Sequence, residues 1–299
     1  MIRSVIYSAY YISEIMDKEP MSIRDTFLSR LGDSYIFLFI ISLIAAILIF
    51  NFFIKVPNVG IVTIDGPIMD ETTKDVIITM LRYARYDDSI KAVVLEINCP
   101  GGEVTKIEEI YLEVLRLRSE KPVVASIDEI GVSGGYYIAA ASNSIFAKPS
   151  SQVGNIGVIS VLPEKVALDE DHISTGPYKT MGASRKYYAS QVEMMKECFL
   201  MAVMSQRNDS LTIDKEHLSK AEIYIGVEGL MYGLIDEIGS KSDAIEKAAS
   251  YSGIANYGLV DINREAAARL NGNPSFAHLG ANQSTNTVPI NYYLCIEPR

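Results

Sequence analysis

The most restrictive feature of this chain is an apolar run that leads through a glycine-rich corner into a stretch of small residues. The run is Pro122-Val-Val-Ala-Ser-Ile127, the corner contains Gly131-Val-Ser-Gly-Gly135, and Tyr137-Ile-Ala-Ala-Ala-Ser142 follows. This pattern predicts a strand, a tight turn and a helix, with Ser133 where the helix begins. Unpaired N–H groups and the positive end of the helix dipole favour an attacking oxygen at that place, and the oxyanion it produces. The alternative is a serine that only caps the helix, because G-x-S-x-G alone is a weak pattern.

The same alternation of strand and helix recurs along the chain. Apolar, β-prone runs predict strands at residues 61–64, 92–97, 122–127 and 144–147, and a glycine-interrupted strand at 153–161. Helical spacing predicts helices at residues 72–86, 107–117, 191–206, 227–232 and 242–250, besides the one after Ser133. Short connections between alternating elements indicate an α/β fold with much parallel pairing. The tail from Gly253 is rich in Asn, Gly and Ala and predicts loose order, ending in the strand-like, apolar segment 290–296.

One segment carries a membrane signal. The run from Tyr35 to Ile54 has no charged residue and is long enough to cross a bilayer as a helix. The alternatives are a buried core helix and a signal peptide that is removed, but the leader before the run is long and no A-x-A-like site follows. We therefore expect a retained anchor. The basic residues are biased to its N-terminal side, which places the N-terminus in the cytoplasm and the large C-terminal part outside: Arg3, Lys18, Arg24 and Arg30 precede the run, and Lys55 follows it.

Charge and cysteine usage exclude some function classes. The formal net charge of -10 argues against a nucleic-acid partner. Cys99, Cys198 and Cys295 are widely spaced and odd in number, so they predict neither a disulfide framework nor a zinc site. We expect no metal and no cofactor.

Two further segments have residues that suit a reactive site. One of them, Asn98-Cys-Pro-Gly-Gly102, follows a predicted strand. Paired glycines there let the backbone approach a ligand and donate N–H groups to it. The alternative is an ordinary strand-to-helix turn, which has the same residue pattern. Lys179 follows Thr175-Gly-Pro-Tyr178, where partial burial would lower a lysine pKa; the alternative is a solvated surface lysine. A serine hydrolase of the triad type needs a histidine instead, and His172, beside Asp171, is the best of the three candidates; the other two are His217 and His278.

Taken together, five ordered motifs resemble the signal peptide peptidase A family, the membrane-anchored serine proteases of the ClpP/crotonase superfamily. The resemblance covers roughly residues 60–250. In order, the motifs are Pro100-Gly-Gly102, Ser133-Gly-Gly-Tyr-Tyr137, Gly154-Asn-Ile-Gly-Val158, Gly176-Pro-Tyr-Lys179 and Gly226-Val-Glu-Gly-Leu-Met-Tyr-Gly-Leu-Ile-Asp-Glu-Ile-Gly239.

The resemblance implies a ClpP/crotonase-like spiral of repeated β-α-β units and a Ser–Lys dyad. Ser133 would be the nucleophile and Lys179 the general base, with backbone N–H groups of the Gly101-Gly102 segment and of Gly134 at the oxyanion. A lysine base must be neutral, and lowering its pKa from about 10.4 to about 7 costs roughly 4 to 5 kcal/mol at about 1.36 kcal/mol per unit. Asn155 stands where the family commonly has a serine that supports the lysine. Cys99 replaces a hydroxyl residue; we interpret it as a small core residue rather than a second nucleophile.

These inferences divide the chain into a cytoplasmic segment (1–34), a transmembrane helix (35–54), a protease domain (55–252) and a tail (253–299). The resemblance also implies a bowl-shaped homo-oligomer on the membrane whose serine and lysine come from adjacent subunits. We expect a membrane protease that degrades apolar peptides such as released signal peptides, and the terminal segment itself resembles such a peptide. The alternatives are a Ser–Lys protease that cuts one specific membrane partner, as stomatin-cleaving relatives do, a catalytically silent oligomeric scaffold, and an esterase that uses His172.

Overall fold

The computed structural model describes residues 35–46, 56–162, 175–179, 182–265 and 290–294, and the chain separates into the units Met1–Lys55 and Val56–Arg299. In the first unit, residues 35–46 are helical and exposed. No helix within the described ranges is both long and apolar enough to cross a membrane. The rest of the predicted anchor, residues 47–54, and the N-terminal segment 1–34 lie outside the described residues.

The second unit is built on a mostly parallel sheet, as the alternating pattern predicts. Its path runs β10-β1-β2-β4-β5-β9, and β6 pairs with β4 and with β8. Only the β6–β8 pairing is antiparallel. The strands of this sheet are β1 (Asn58–Asp65), β2 (Ile90–Cys99), β4 (Val123–Val132), β5 (Ser144–Ala147), β6 (Gln152–Gly154), β8 (Ile223–Ile225), β9 (Glu237–Ile238) and β10 (Gly258–Asp261).

Helices connect and cover these strands. They are α1 (Glu71–Tyr86), α2 (Val104–Arg118), α3 (Gly134–Ala140), α4 (Arg185–Arg207), α5 (Lys215–Leu218), α6 (Gly226–Met231) and α7 (Lys241–Tyr251). Local caps fix several starts: the Asp70 carboxylate accepts the Thr73 N–H before α1, and the Ser184 hydroxyl accepts the Tyr187 N–H before α4. The apolar core falls into two clusters: the larger includes residues of α1 to α4, and the smaller includes residues of α7. The sheet is thus covered on both faces, as parallel sheets require.

A second, smaller sheet lies beside the corner after β4. It consists of β3 (Gly101–Glu103), β11 (Ile290–Leu294) and β7 (Ile159–Val161), in that order and antiparallel throughout. The carboxyl-terminal strand β11 therefore occupies the centre of this sheet. Strand formation at the end of the chain agrees with the strand-like pattern of residues 290–296.

Two parts of the predicted layout need correction. Residues 153–161 do not form one interrupted strand, because Asn155 has a positive φ of 55° and the backbone leaves the main sheet there; β6 and β7 belong to different sheets. The tail is not wholly loose either, since β10 pairs in parallel with β1. Residues 266–289 lie outside the described part, and the predicted domain limits remain predictions.

Candidate active site

Ser133 is the single residue between β4 and α3, and its backbone has a conformation that few residues with a side chain adopt. Its φ is 53° and its ψ is -122°. Two hydrogen bonds hold this corner: the Ser133 N–H donates to the Gly154 carbonyl at 2.8 Å, and the Ser133 carbonyl accepts the Tyr137 N–H at 2.9 Å. Such a conformation costs about 1–3 kcal/mol and persists where the surrounding structure imposes it, often at functional sites.

The side chain of Ser133 has no structural use that accounts for it. It is 1% exposed and makes no capping hydrogen bond to α3, and its Oγ has no hydrogen-bond partner within the part of the chain that the structure describes. The reading as a simple N-cap serine is therefore wrong. A buried, unsatisfied hydroxyl costs about 1–3 kcal/mol. Strain and an unpaired hydroxyl at one residue together indicate a group kept for its chemistry.

Helix α3 is held against the end of β2 at a separation that only glycine permits. A Cβ on Gly135 would lie 2.2 Å from the Cys99 carbonyl oxygen. Tyr136 fixes the other side of the helix, because its hydroxyl donates to the Leu234 carbonyl at 2.7 Å. The first N–H groups of α3, including that of Gly134, have no acceptor within the helix, and the helix dipole adds positive potential there.

The Gly101-Gly102 segment belongs to β3, which is paired along both of its edges. Ile68 is paired to one edge of this segment: its N–H donates to the Gly101 carbonyl and its carbonyl accepts the Glu103 N–H, both at 2.9 Å. Because hydrogen-bonding directions alternate along a strand, the N–H and carbonyl of Gly102 point to the opposite edge, where β11 lies. A Cβ on Gly102 would lie 2.1 Å from the Ile68 carbonyl oxygen, so this position also requires glycine.

Asn155 is a backbone anchor in this structure. Its N–H donates to the Glu222 carbonyl at 2.8 Å, and its side-chain amide donates to the Ala221 carbonyl at 2.7 Å. These bonds fasten the residue that follows Gly154, whose carbonyl holds Ser133, to the loop before β8. The side-chain oxygen of Asn155 can still accept a hydrogen bond, so its expected support of the lysine remains a prediction.

Lys179 is not joined to Ser133 within the chain. Its N–H donates to the Gly176 carbonyl at 3.2 Å in the turn of residues 175–179, and its side chain is exposed. Among the residues that the structure describes, the Ser133 Oγ has no hydrogen-bond partner, so no hydrogen bond to Lys179 is seen there and the dyad remains a prediction. His217 is partly exposed, with its Nε2 3.3 Å from a Glu222 carboxylate oxygen, and it is not a hydrogen-bond partner of the Ser133 hydroxyl; His172 and His278 lie outside the described residues.

Cys99 is a buried neighbour of the site rather than a reactive thiol. Its side chain is fully buried, and its Sγ lies 3.5 Å from the Gly101 carbonyl, to which it donates, and 3.4 Å from the Gly101 N–H. Burial raises the pKa of Cys99 to about 12, despite the hydrogen bond from Gly101. The thiolate is the nucleophilic form, so this residue acts as the small core residue that we inferred.

Sequence reasoning missed the partners of the site that lie far away in the chain. The Gly154 carbonyl that holds the corner and the β3–β11–β7 sheet beside α3 have no local signature. The apolar pattern of residues 290–296 predicted a strand but not its partners.

Residues 116–255 match the model of Peptidase family S49, and residues 48–153 match the model of Clp protease. The chain is 32% identical over 216 residues to "Protease 4" of Haemophilus influenzae, which covers 65% of this chain and 35% of that protein. It is 30% identical to "Serine protease SPPA, chloroplastic" of Arabidopsis thaliana, covering 60% of this chain and 28% of the relative.

A third relative is "Putative signal peptide peptidase SppA" of Enterococcus faecium, with 30% identity, 56% of this chain and 53% of the relative covered. The chain thus spans less than two thirds of the length of each of these relatives. The matches confirm the resemblance that the five motifs predict, and the mixed α/β fold with a central sheet is consistent with a Clp-type fold.

Proposed function

We propose that this chain is a membrane-anchored serine endopeptidase that degrades extended, apolar peptides such as released signal peptides, with Ser133 as nucleophile and Lys179 as general base. The observation that carries the proposal is the buried, unpaired hydroxyl of Ser133, held in a strained backbone at the start of α3. The match to Peptidase family S49 and the names of the relatives support the same reaction class.

The proposed reaction proceeds in two steps with balanced proton transfers. Neutral Lys179 takes the Oγ proton of Ser133 while Oγ attacks the peptide carbonyl, and N–H groups of Gly102 and Gly134 stabilise the resulting oxyanion. Collapse of this intermediate breaks the C–N bond, and the lysine ammonium gives its proton to the leaving amine. Water, activated by the same lysine, then hydrolyses the ester on Ser133. No metal or cofactor takes part in this scheme.

The lysine comes from an adjacent copy of the chain in this proposal. Lys179 is exposed in its own subunit, and the Ser133 hydroxyl is buried without a partner among the described residues. Both conditions suit a site completed by the neighbouring subunit in a homo-oligomer. Enclosure between subunits would also supply the desolvation that a neutral lysine requires.

The location at a membrane rests on the apolar run of residues 35–54 and on the basic residues that precede it. In this proposal the N-terminus is cytoplasmic and the catalytic unit faces the other side. Protease protection in inverted and right-side-out vesicles tests the orientation. Release of the protein by alkaline carbonate would count against an integral anchor.

Hydrolysis of a fluorogenic apolar peptide by matched variants tests the catalytic assignment. Ser133→Ala is expected to abolish turnover, whereas Ser142→Ala retains it, although Ser142 is also buried and its Oγ is also unpaired. Lys179→Ala is expected to abolish turnover as well, whereas the exposed Lys186→Ala retains it. Full activity of Ser133→Ala would refute the proposal and leave the scaffold alternative. Loss of activity in His172→Ala with an active Lys179→Ala would favour the esterase.

A further inference from the structure

Backbone strain at the candidate site is shared by three residues that hydrogen bonds link together. Among the residues that the structure describes, four residues other than glycine have a positive φ: Ser133 at 53°, Asn155 at 55°, Asn208 at 36° and Ala221 at 58°. Such residues are uncommon, because a Cβ crowds the backbone in this region. Ser133, Asn155 and Ala221 lie on one short path of hydrogen bonds that passes through Gly154. The strain at Ser133 is therefore part of a larger arrangement.

The peptide unit between Gly154 and Asn155 bridges the two ends of this path. Its carbonyl accepts the Ser133 N–H and its N–H donates to the Glu222 carbonyl, both at 2.8 Å. None of the described peptide bonds is cis. A trans peptide unit is rigid and planar, and its carbonyl and N–H point in opposite directions. The loop that ends at Glu222 thus sets the place of the Ser133 amide across a single rigid plane.

The side chain of Asn155 fixes the orientation of that plane. Its Nδ2 donates at 2.7 Å to the carbonyl of Ala221, the residue before the one that accepts its backbone N–H. Because Asn155 is bonded to two consecutive carbonyls, the plane cannot rotate without breaking one of these bonds. Asparagine also tolerates a positive φ better than most residues with a side chain. The contact is close, since a Cβ on Gly157 would lie 2.8 Å from the Cβ of Ala221.

We propose that Asn155 is a positioning residue for the nucleophile: acting through the Gly154–Asn155 peptide unit, it holds Ser133 in its strained conformation, with the Ala221–Glu222 carbonyls as its anchor. The inference rests on the proposed function, because it assigns a further residue to the same reaction. The family resemblance implies that position 155 acts on the lysine instead. In this structure the amide donor of Asn155 serves the backbone that holds Ser133. Small displacements of a reacting group slow a reaction strongly, so this hold affects the rate.

Substitutions of Asn155 separate the two roles by their kinetics with a fluorogenic peptide. Asn155→Gly accepts the positive φ but lacks the amide, and it should lower kcat about tenfold with KM unchanged, the effect of about one lost hydrogen bond. The pH at which kcat is half-maximal should not move, because the lysine base is unaffected. Asn155→Ser should lose as much, since a serine hydroxyl is one bond shorter than the amide. Full kcat in Asn155→Ser, or a shifted pH midpoint in Asn155→Gly, would assign position 155 to the lysine and overturn the inference.

Asn263→Ala is the matched control for the lost hydrogen bond. The Asn263 amide also donates to a backbone carbonyl, that of Thr63 at 3.0 Å, in a part of the sheet away from Ser133. This variant should keep the kcat of the wild type. An equal loss of kcat in Asn263→Ala would mean that Asn155→Gly acts through general destabilisation, and the positioning role would be wrong.

Amide hydrogen exchange of the full-length protein tests the link to Ser133 without turnover. In Asn155→Gly the Ser133 amide should exchange severalfold faster than in the wild type, because its acceptor is no longer fixed, whereas peptides from β2 should exchange at unchanged rates. Asn263→Ala should leave exchange at Ser133 as in the wild type. Unchanged exchange of the Ser133 amide in Asn155→Gly would refute the inference even if kcat fell. If no variant hydrolyses any peptide, the proposed function fails, and the exchange measurement still decides whether Asn155 holds Ser133.

Discussion

At the scale of single residues, Ser133 combines two unfavourable features that a sequence cannot display. The motif predicts a serine at a strand-to-helix corner, but it does not reveal the positive φ or the absence of a partner for Oγ. The backbone conformation is held by a hydrogen bond from the Ser133 N–H to the carbonyl of Gly154, which comes from a different strand. The residue and its role are therefore predictable from the motif, whereas the strain is a property of the folded environment.

The strain predicts an unusual order of stabilities at position 133. Ser133→Gly should raise the free energy of unfolding by about 1 kcal/mol, because glycine accepts the positive φ and the unpaired hydroxyl is removed. Ser133→Ala should be less stable than Ser133→Gly, since the Cβ remains. Position 142 is the control: it has no positive φ, so Ser142→Ala should be more stable than Ser142→Gly. Urea denaturation measures all four; the same order at both positions would contradict a strained Ser133.

The cysteines give a second prediction at this scale. In a Cys295→Ser background at pH 8, iodoacetamide should modify the exposed Cys198 and leave the buried Cys99 unmodified in the native state. With the pKa of Cys99 raised to about 12 by burial, this thiol stays protonated until the pH approaches that value, so raising the pH from 8 to 10 should not make it react. Peptide mapping by mass spectrometry locates the modification, and protein unfolded in urea serves as the control. Native modification of Cys99 at the rate of Cys198 would show that the site is open to reagents.

At the scale of elements, the position of α3 depends on glycine next to a carbonyl. Gly135→Ala should lose stability and peptide hydrolysis together, because a Cβ 2.2 Å from the Cys99 carbonyl oxygen forces the helix away from β2. Overpacking of this kind costs about 1–3 kcal/mol, more than the roughly 1 kcal/mol that alanine gains in helix propensity. In the control Gly229→Ala the new Cβ would meet a methyl group of Val153, which can shift, so the loss should be smaller. Urea denaturation and peptide turnover are measured for both variants. Equal losses of stability and turnover would show that α3 is packed no more tightly at Gly135 than the chain is at Gly229.

An ion pair between the buried Arg207 and the partly exposed Asp236 connects the end of α4 to the loop before β9. Arg207 donates to both carboxylate oxygens of Asp236 at 2.8 Å and to the Gly233 carbonyl at 2.9 Å, and Asp236 also accepts the Ile145 N–H. Burial opposes the charge of Arg207, but the hydrogen bonds to Asp236, together with electrostatic interactions with Tyr136 and Asp236, outweigh burial and raise the pKa of the guanidinium. The same loop carries the Leu234 carbonyl that Tyr136 binds, so the brace supports α3 as well.

Removing one partner of this brace should therefore be costly. Arg207→Met is expected to lower the free energy of unfolding by about 3 kcal/mol, because it leaves the Asp236 carboxylate without its cation. The double variant with Asp236→Asn should lose less than the sum of the single losses. The control Arg116→Met breaks the exposed end of a pair with Glu113 and should cost less than about 1 kcal/mol. Chemical denaturation gives all the values, and additive single losses would exclude coupling through the pair.

Elements were predictable from the sequence where periodicity is local. Strand β5 has its predicted bounds, and α1 and α2 begin within a few residues of theirs, because apolar spacing and caps act over short distances. The short strands β8, β9 and β10 were not predicted, because each is defined by its pairing with a strand that is distant in the chain, β6, β5 and β1 respectively. The division of residues 153–161 between two sheets was missed for another reason: it depends on the bonds from Asn155 to Ala221 and Glu222.

At the scale of the whole molecule, the sequence pattern does not predict which distant strands pair with each other. Strand β10 joins β1 across the length of the unit, and β11 joins β3 and β7, so the ends of the catalytic unit close two sheets. The parallel core and the corner that carries Ser133 arise from local pattern and were anticipated. The small sheet β3–β11–β7 arises from pairing between distant parts of the chain, which no local pattern encodes.

The proposed sharing of the active site between subunits leads to a prediction about mixed assemblies. Ser133→Ala and Lys179→Ala proteins should each be inactive, yet co-expression of the two should restore peptide hydrolysis. A Lys179→Ala subunit keeps its serine, and a Ser133→Ala neighbour keeps its lysine, so the interface between them contains a complete site. Random mixing of the two variants in a ring gives this pairing at about a quarter of the interfaces. The exposed Lys179 and the partnerless Ser133 hydroxyl are what a site built across an interface requires of each subunit alone.

Differently tagged variants purified through both tags provide the sample, and co-expression of Ser133→Ala with the Ser133→Ala/Lys179→Ala double variant is the control, which should stay inactive. If the mixed assemblies form but show no hydrolysis, serine and lysine must act within one subunit, and the exposed turn of Lys179 would then have to close over its own Ser133.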